Sequence, residues 1–302
     1  MIPNPDEAPV PGLDALASRR WQALPRETSP WLHEEVARRM AERLAWFREP
    51  PASWLHWEPV LGGLDAHRQL MERLPQARTH VRVSRDEDLG RLGGAAPRKP
   101  WVRLPWMRRA ARVTPADDET RVGMLWANML LHHEPFPQSL LRQWHHHLAV
   151  DGFLMFSCLG PDSLAELRAV YVRQGWPAPA HGFTDMHDWG DMLVSGGFAE
   201  PVMDMERIVL TYSSAAALLD ELRGLGRNLS DARPRALRGR GWRSRLEPAI
   251  EQHGARAADG RLQLSFEIIY GHAFKAAPRP PRGDTQSVSV DEMRAMLRAR
   301  RT

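Results

Sequence analysis

The residues whose types and spacing could serve chemistry are a glycine pair, two clusters of histidines, a strand-end asparagine, one cysteine and a run of arginines. Gly62-Gly63 separates an apolar run from a helical pattern. Glycine there lets the backbone turn sharply and approach a ligand, although an ordinary strand-to-helix turn needs the same residues. His132-His133 and His145-His146-His147 invite a metal reading. Successive helical residues point about 100° apart, so the second cluster cannot converge on one ion, and no metal site is expected. Asn128 ends an apolar run and is suited to capping its own turn. Cys158 is the only cysteine, which excludes a disulfide framework or a thiolate cluster within the chain and makes a reducing compartment the default. The arginines between Arg227 and Arg245, among them Arg235, Arg238 and Arg240, suit an acidic protein partner. A solvated loop in an arginine-rich chain reads the same way, and no aromatic residues interleave to suggest nucleic acid.

The elements that must position these residues follow from periodicity. The 302 residues carry a formal charge of +4 and 43% hydrophobic residues, enough for one large α/β domain or two small ones with a real core. No signal pattern and no membrane-length apolar run is visible, so a soluble cytoplasmic protein without a membrane partner is expected. A helix is predicted from Leu32 to Phe47, with Val36, Met40, Leu44 and Phe47 on one face. A short strand is expected at Trp57–Leu61, weakened by Pro59, then a helix at Ala66–Leu74 and a strand at Thr79–Val83. The stretch from Ser84 to Thr114 is poorly patterned, with at most Trp101–Leu104 extended. The middle is clearer: a strand Val122–Ala127, a helix Gln138–Leu148, a turn at Val150-Asp151-Gly152 and a strand Phe153–Ser157. A helix capped by Asp162 or Ser163 runs to Arg173, and another spans Asp188–Ser195 before Gly196-Gly197. Strands at Pro201–Tyr212 and Leu262–Phe274 flank helices at Ser214–Leu225 and Trp242–His253. A short tail helix is expected at Asp291–Arg301. Alternating strands and helices argue for a parallel sheet, with an antiparallel pair near one edge.

Four runs carry a resemblance: LWANMLLHH (125–133), LAVDGFLMFSCLGPDSLAELR (148–168), FTDMHDWGDMLVSGGFAEPVMDMERIVLTY (183–212) and FEIIYGHAF (266–274). The third is the most specific. With the helix Leu32–Leu44, they resemble the malonyl-acyl-carrier-protein O-methyltransferases of biotin synthesis, over roughly Leu16 to Lys275. The resemblance implies a Rossmann-like class I methyltransferase sheet with helices on both faces, an antiparallel edge strand and a helical insertion (about 214–258) between the last two strands. The domain would cover 16–275, between a loose start (1–15) and a linker with a short helix (276–302). It further implies methyl transfer from S-adenosylmethionine to the free carboxyl of a malonyl thioester on acyl carrier protein. A carboxylate is already nucleophilic, so alignment and exclusion of water matter more than a general base, and no catalytic residue is named.

The same resemblance locates the donor site. The family pattern Asp/Glu-x-Gly-x-Gly-x-Gly corresponds to Glu58-Pro59-Val60-Leu61-Gly62-Gly63-Leu64, so Glu58, Gly62 and Gly63 are expected to hold the donor. The second strand should end in an acid that accepts the ribose hydroxyls. Val83 stands there, with Asp86 nearby. Asn128 falls where these enzymes approach the methyl group, and His187 and the insertion arginines Arg235, Arg238 and Arg240 would meet the acceptor. Pro59 and Val60 replace small residues, Gly123 replaces an acid, and a Tyr-Asp signature is missing around Arg26–Ser29. Losing two or three ligand hydrogen bonds at about 1–3 kcal/mol each weakens a ligand by about 100-fold or more. Two hypotheses therefore stand: an active methyltransferase with a worn donor loop, or a pseudo-enzyme that keeps the partner surface.

Overall fold

A computed structural model describes residues 10, 12–92, 113–235 and 238–277. Seven strands form one sheet: β1 (Ser53–Trp57), β2 (Arg78–Arg82), β3 (Val113–Pro115), β4 (Val122–Ala127), β5 (Leu148–Leu159), β6 (Ala199–Tyr212) and β7 (Leu262–Phe274). Their order is β3-β2-β1-β4-β5-β7-β6. The pairs from β3 to β5 are parallel, and β7 runs antiparallel to both neighbours, one place in from the edge strand β6. The Rossmann-like sheet is thus the class I methyltransferase type that the resemblance implied, and the insertion between β6 and β7 carries α8 (Ala215–Leu225) and α9 (Arg240–His253).

The central strands alternate their side chains between two apolar layers. Trp54, Met124, Trp126, Phe153 and Met155 pack with α2 (Trp31–Glu42), α4 (Leu64–Arg73) and α6 (Ala165–Arg173) on one face. Leu55, Leu125, Leu154 and Phe156 pack with α5 (Pro137–His147) and α7 (Met186–Ser195) on the other. Trp54, Trp126, Trp144 and Trp189 are fully buried, which accounts for part of the tryptophan excess as core packing, whereas Trp31 and Trp46 are exposed.

Four expectations need correction. The first strand is Ser53–Trp57, not Trp57–Leu61. Pro59 has no N–H for a sheet ladder, and it opens a single helical turn, α3 (Pro59–Gly62), where its fixed φ fits. Residues 150–152 are not a turn between elements but an irregularity inside one continuous strand, with Asp151 at φ 64. Their backbone is claimed by the chain leaving β7: Asp151 N–H donates to the Lys275 carbonyl at 2.8 Å, and Lys275 N–H to that of Gly152 at 2.8 Å. The expected caps Asp162 and Ser163 are also used elsewhere. The Ser163 hydroxyl donates to the Glu267 carbonyl at 3.1 Å and accepts from the Glu267 N–H at 3.0 Å, the Asp162 backbone N–H donates to the Glu267 carboxylate, and α6 starts after Leu164 with no side-chain cap. Helix α7 starts two residues early because Asp185 caps it through the His187 N–H. The expected segments at Trp101–Leu104 and Asp291–Arg301 lie outside the described residues.

Candidate functional site

In parallel sheets, ligands gather at the carboxyl ends of the strands, where the order reverses. Here β1 and β4 lead to opposite halves of the sheet, and a cavity of about 530 Å³ opens over the ends of β1, β2, β3 and β4. Glu58, Val83, Ser84 and Asp86 line one side, Leu89 and Ala116 form an apolar ledge, and Leu130, His133 and Glu134 line the β4 side. Helix α1 (Ala15–Gln22) supplies Arg19 and Gln22. It is pinned there by the Ser18 hydroxyl, which donates to the His133 carbonyl.

Glu58 leaves β1 in the left-handed region (φ 53, ψ 56). Its N–H donates to the Arg82 carbonyl at 2.7 Å, and its carboxylate accepts from the Ser84 hydroxyl at 2.5 Å. Burial, with Asp88 nearby, pushes the carboxyl up to about 7, against the opposing pull of Ser84 and Arg26. A left-handed backbone is the conformation for which glycine is selected. Glu58 therefore stands in a turn whose backbone would favour glycine, and His56 lies two residues before it in β1. His56 is completely buried, its Nδ1 3.1 Å from the Nδ1 of His67, and burial keeps both rings neutral, His67 at about 4.

Gly62 and Gly63 face away from the cavity. A Cβ on Gly62 would lie 3.1 Å from the Asn128 carbonyl oxygen, and one on Gly63 (φ 139) would lie 3.0 Å from a Glu34 carboxylate oxygen. That Glu34 carboxylate caps α4 from outside, accepting from the Asp65 and Ala66 N–H groups at 3.1 and 3.0 Å. Asn128 is fully buried and fully engaged. Its amide donates to the His33 carbonyl at 2.8 Å and to the Gly62 carbonyl, and its oxygen accepts from Ser157 at 2.6 Å. Its visible task is to join β4, β5 and the turn after β1. Asp86 is exposed on the cavity rim at the start of a 3-10 turn (Asp86–Leu92). Gly123 sits at the opposite end of β4, against Pro51 and Ser53, so that departure from the family does not touch the cavity.

A second, more apolar cavity of about 360 Å³ lies under the insertion. Leu167 and Tyr171 of α6, Phe183, Leu219 and Leu222 of α8, and Phe266 of β7 line it. Arg223 and Arg227 stand at its edge, and His133 lines both cavities. Burial holds His133 well below its ordinary value. Sequence reasoning did not single out Phe183 or Arg223, weighed His133 only as a metal ligand, and placed Arg227 on the partner face rather than at a cavity. The available signal was that Phe183 opens the most specific family-like run. His187, in the same run, is exposed in the first turn of α7 and lines neither cavity. Arg235 and Arg240 are exposed, and Arg238 lies 3.9 Å above the Trp242 ring on the insertion. None of these three lines either cavity. Among the described residues no group of histidine, cysteine and acidic side chains could hold a metal. No described helix is long and apolar enough to cross a membrane.

The fit to an adenosyl ligand divides in two. A half-buried carboxylate at the strand ends beside an apolar ledge suits a ribose and a base. The glycine pair, turned into the protein, offers nothing to the amino-acid end, so only His133, Glu134, Arg19 and Gln22 remain for that half.

No family model matches the chain. It is 38% identical over 265 residues to the malonyl-[acyl-carrier protein] O-methyltransferase of Laribacter hongkongensis, covering 83% of this chain and 85% of that protein. It is 36% identical over 267 residues to the protein of the same name from Gallionella capsiferriformans, with 85% and 88% covered. Among solved structures, the YcgJ protein of Bacillus subtilis has the same fold, with a TM-score of 0.50 at 10% identity, over 79% of this chain and 98% of that one.

Proposed function

The chain belongs to the malonyl-[acyl-carrier protein] O-methyltransferase family, and from that premise we propose that it is an enzyme that methylates the free carboxyl of a malonyl thioester carried on acyl carrier protein, with S-adenosylmethionine as donor. The setting is cytoplasmic biotin synthesis, where the methyl ester masks a charge. The observation that carries this reading is the pair of cavities sharing His133, one polar and at the strand ends, the other apolar and under the insertion.

The donor, when bound, supplies an electrophilic methyl group. Everything else falls to the chain's own residues. Glu58, Ser84 and Asp86 face the polar cavity and suit the nucleoside, with Leu89 and Ala116 against its base. Gly62, Gly63 and Asn128 act behind them, fixing the turn that carries Glu58. Arg223 and Arg227 bring positive charge to an otherwise apolar chamber. Among the described residues neither pairs with a carboxylate, so a malonyl carboxylate is a suitable partner for them. Apolar walls at Phe183, Leu219 and Leu222 exclude water from the reacting carboxylate. The exposed arginines Arg235, Arg238 and Arg240 offer an acidic carrier a docking face.

Calorimetric titration of S-adenosylhomocysteine, paired with mass spectrometry of malonyl-carrier protein after incubation with the donor, tests the proposal. Donor-dependent gain of one methyl group is expected. A catalytically silent family member that keeps the partner surface is the second reading, favoured by the inward-turned glycine pair. No ligand binding at millimolar concentration, with no methylated product, would select it.

A further inference from the structure

We infer that Glu58 is the carboxylate that receives the donor's ribose hydroxyls, moved from the end of β2 to the turn after β1. This rests on the donor reading proposed above. The family pattern asks for an acid at the end of β2, and Val83 stands there. The position is nonetheless served by a carboxylate. Glu58 N–H is bonded to the carbonyl of Arg82, the last residue of β2, and its side chain accepts from the hydroxyl of Ser84, the residue after Val83. The carboxylate therefore lies alongside the end of β2, in the wall of the strand-end cavity, with Leu89 and Ala116 as the ledge for a base.

The other acids nearby are less suited. Asp88 is buried and lies within 4.0 Å of Arg85 and 3.7 Å of Arg91. Asp86 is exposed on the rim. Glu58 is also held in a way that folding alone does not reward. It combines a left-handed backbone on a residue with a Cβ and a half-buried carboxylate held by Ser84. Left-handed non-glycine residues cluster at functional sites. Here Glu58 and Met129, which follow β1 and β4, both sit at the carboxyl ends of the strands. Glu58 at this turn then stands in for the acid that the end of β2 lacks.

The experiment is calorimetric titration with S-adenosylhomocysteine and with the analogue whose ribose lacks both hydroxyls. Glu58→Gln is expected to weaken the full ligand by roughly 10-fold or more, the loss of a charge-assisted hydrogen bond, while barely changing the analogue. Glu58→Gly with Val83→Asp, which returns the acid to β2, is expected to recover most of that affinity. Asp86→Asn is expected to have little effect. Equal weakening of ligand and analogue, or a loss on Asp86→Asn with none on Glu58→Gln, overturns the inference while leaving the donor reading intact. Failure of the unmodified protein to bind the full ligand overturns both. Circular dichroism of each variant separates loss of contact from loss of fold.

Discussion

Replacing Glu58 by glycine is expected to make this protein more stable, most of all at alkaline pH. Two terms contribute. The left-handed backbone at φ 53 costs a residue with a Cβ about 1 kcal/mol, and glycine is free of it. The carboxyl is raised from 4.5 to about 7, chiefly by burial, which corresponds to about 3 kcal/mol of penalty on the charged form. Solvent still reaches the half-buried group, so about half of that is a better figure. The sign follows from linkage. Between about 4.5 and 7 the unfolded chain ionises this carboxyl while the fold keeps its proton, so the penalty grows across that window and is complete above about 7. Glu58→Gly should therefore gain about 1 kcal/mol near pH 5 and about 2–3 kcal/mol near pH 8, read from urea unfolding. In thermal melts each kcal/mol corresponds to about 2–4 °C for a domain approaching this size. Glu58→Ala removes the carboxyl but keeps the strained backbone, so it should fall about 1 kcal/mol short of the glycine variant at every pH. A glycine variant no more stable than the alanine variant would show that the left-handed turn is not imposed by the fold. A gain that does not grow with pH would refute the buried-carboxyl argument.

Acid should unfold the protein early. His33, His56, His67, His132 and His133 are buried, and burial lowers each, His33 and His67 to about 4. Their contribution is complete above about 6.5 and lost as the pH falls below it, with a limiting slope of about 7 kcal/mol per pH unit if all five stay neutral. Circular dichroism should show collapse between about pH 6 and 5, above the range where ordinary carboxylates titrate. Asn128→Ala should cost about 2–4 kcal/mol in urea unfolding, because it strands the buried Ser157 hydroxyl and two carbonyls. Glu34→Ala should cost about 1 kcal/mol by uncapping α4, and its effect should vanish if Glu34 does not act as the cap. Arg235→Ala, Arg238→Ala and Arg240→Ala together should lower kcat/KM for the malonyl-carrier protein several-fold at low salt and much less at high salt. A salt-independent loss would argue against docking.

Much of the architecture was legible in the residues themselves. Val122–Ala127 and Leu262–Phe274 have the predicted bounds because buried strands of a covered sheet read as continuous apolar runs. Helices α4, α5, α8 and α9 came within a few residues of their ends for the same local reason, the apolar stripe written every third or fourth residue, whereas the helix predicted to Phe47 ends as α2 at Glu42 and continues only as a 3-10 turn to Trp46. The specific run at 183–212 carried the family. The site was far less legible. Glycine spacing aligned Glu58 with the acid of the pattern, since nothing in the sequence shows which residue turns left-handed.

The sequence by itself determined the order of elements, the apolar layers and the membership of the family, because these depend on local periodicity and on matching residues along the chain. Only the tertiary structure decided what the worn loop became. Pro59 turned the expected strand into a helical turn, Asn128 and Glu34 drew the glycine pair inward, and Ser84 met the Glu58 carboxylate beside β2. Each of these depends on groups distant in sequence that meet only when the sheet assembles. A backbone dihedral at one residue and the partner of one carboxylate are fixed by those neighbours, not by the residue's own type.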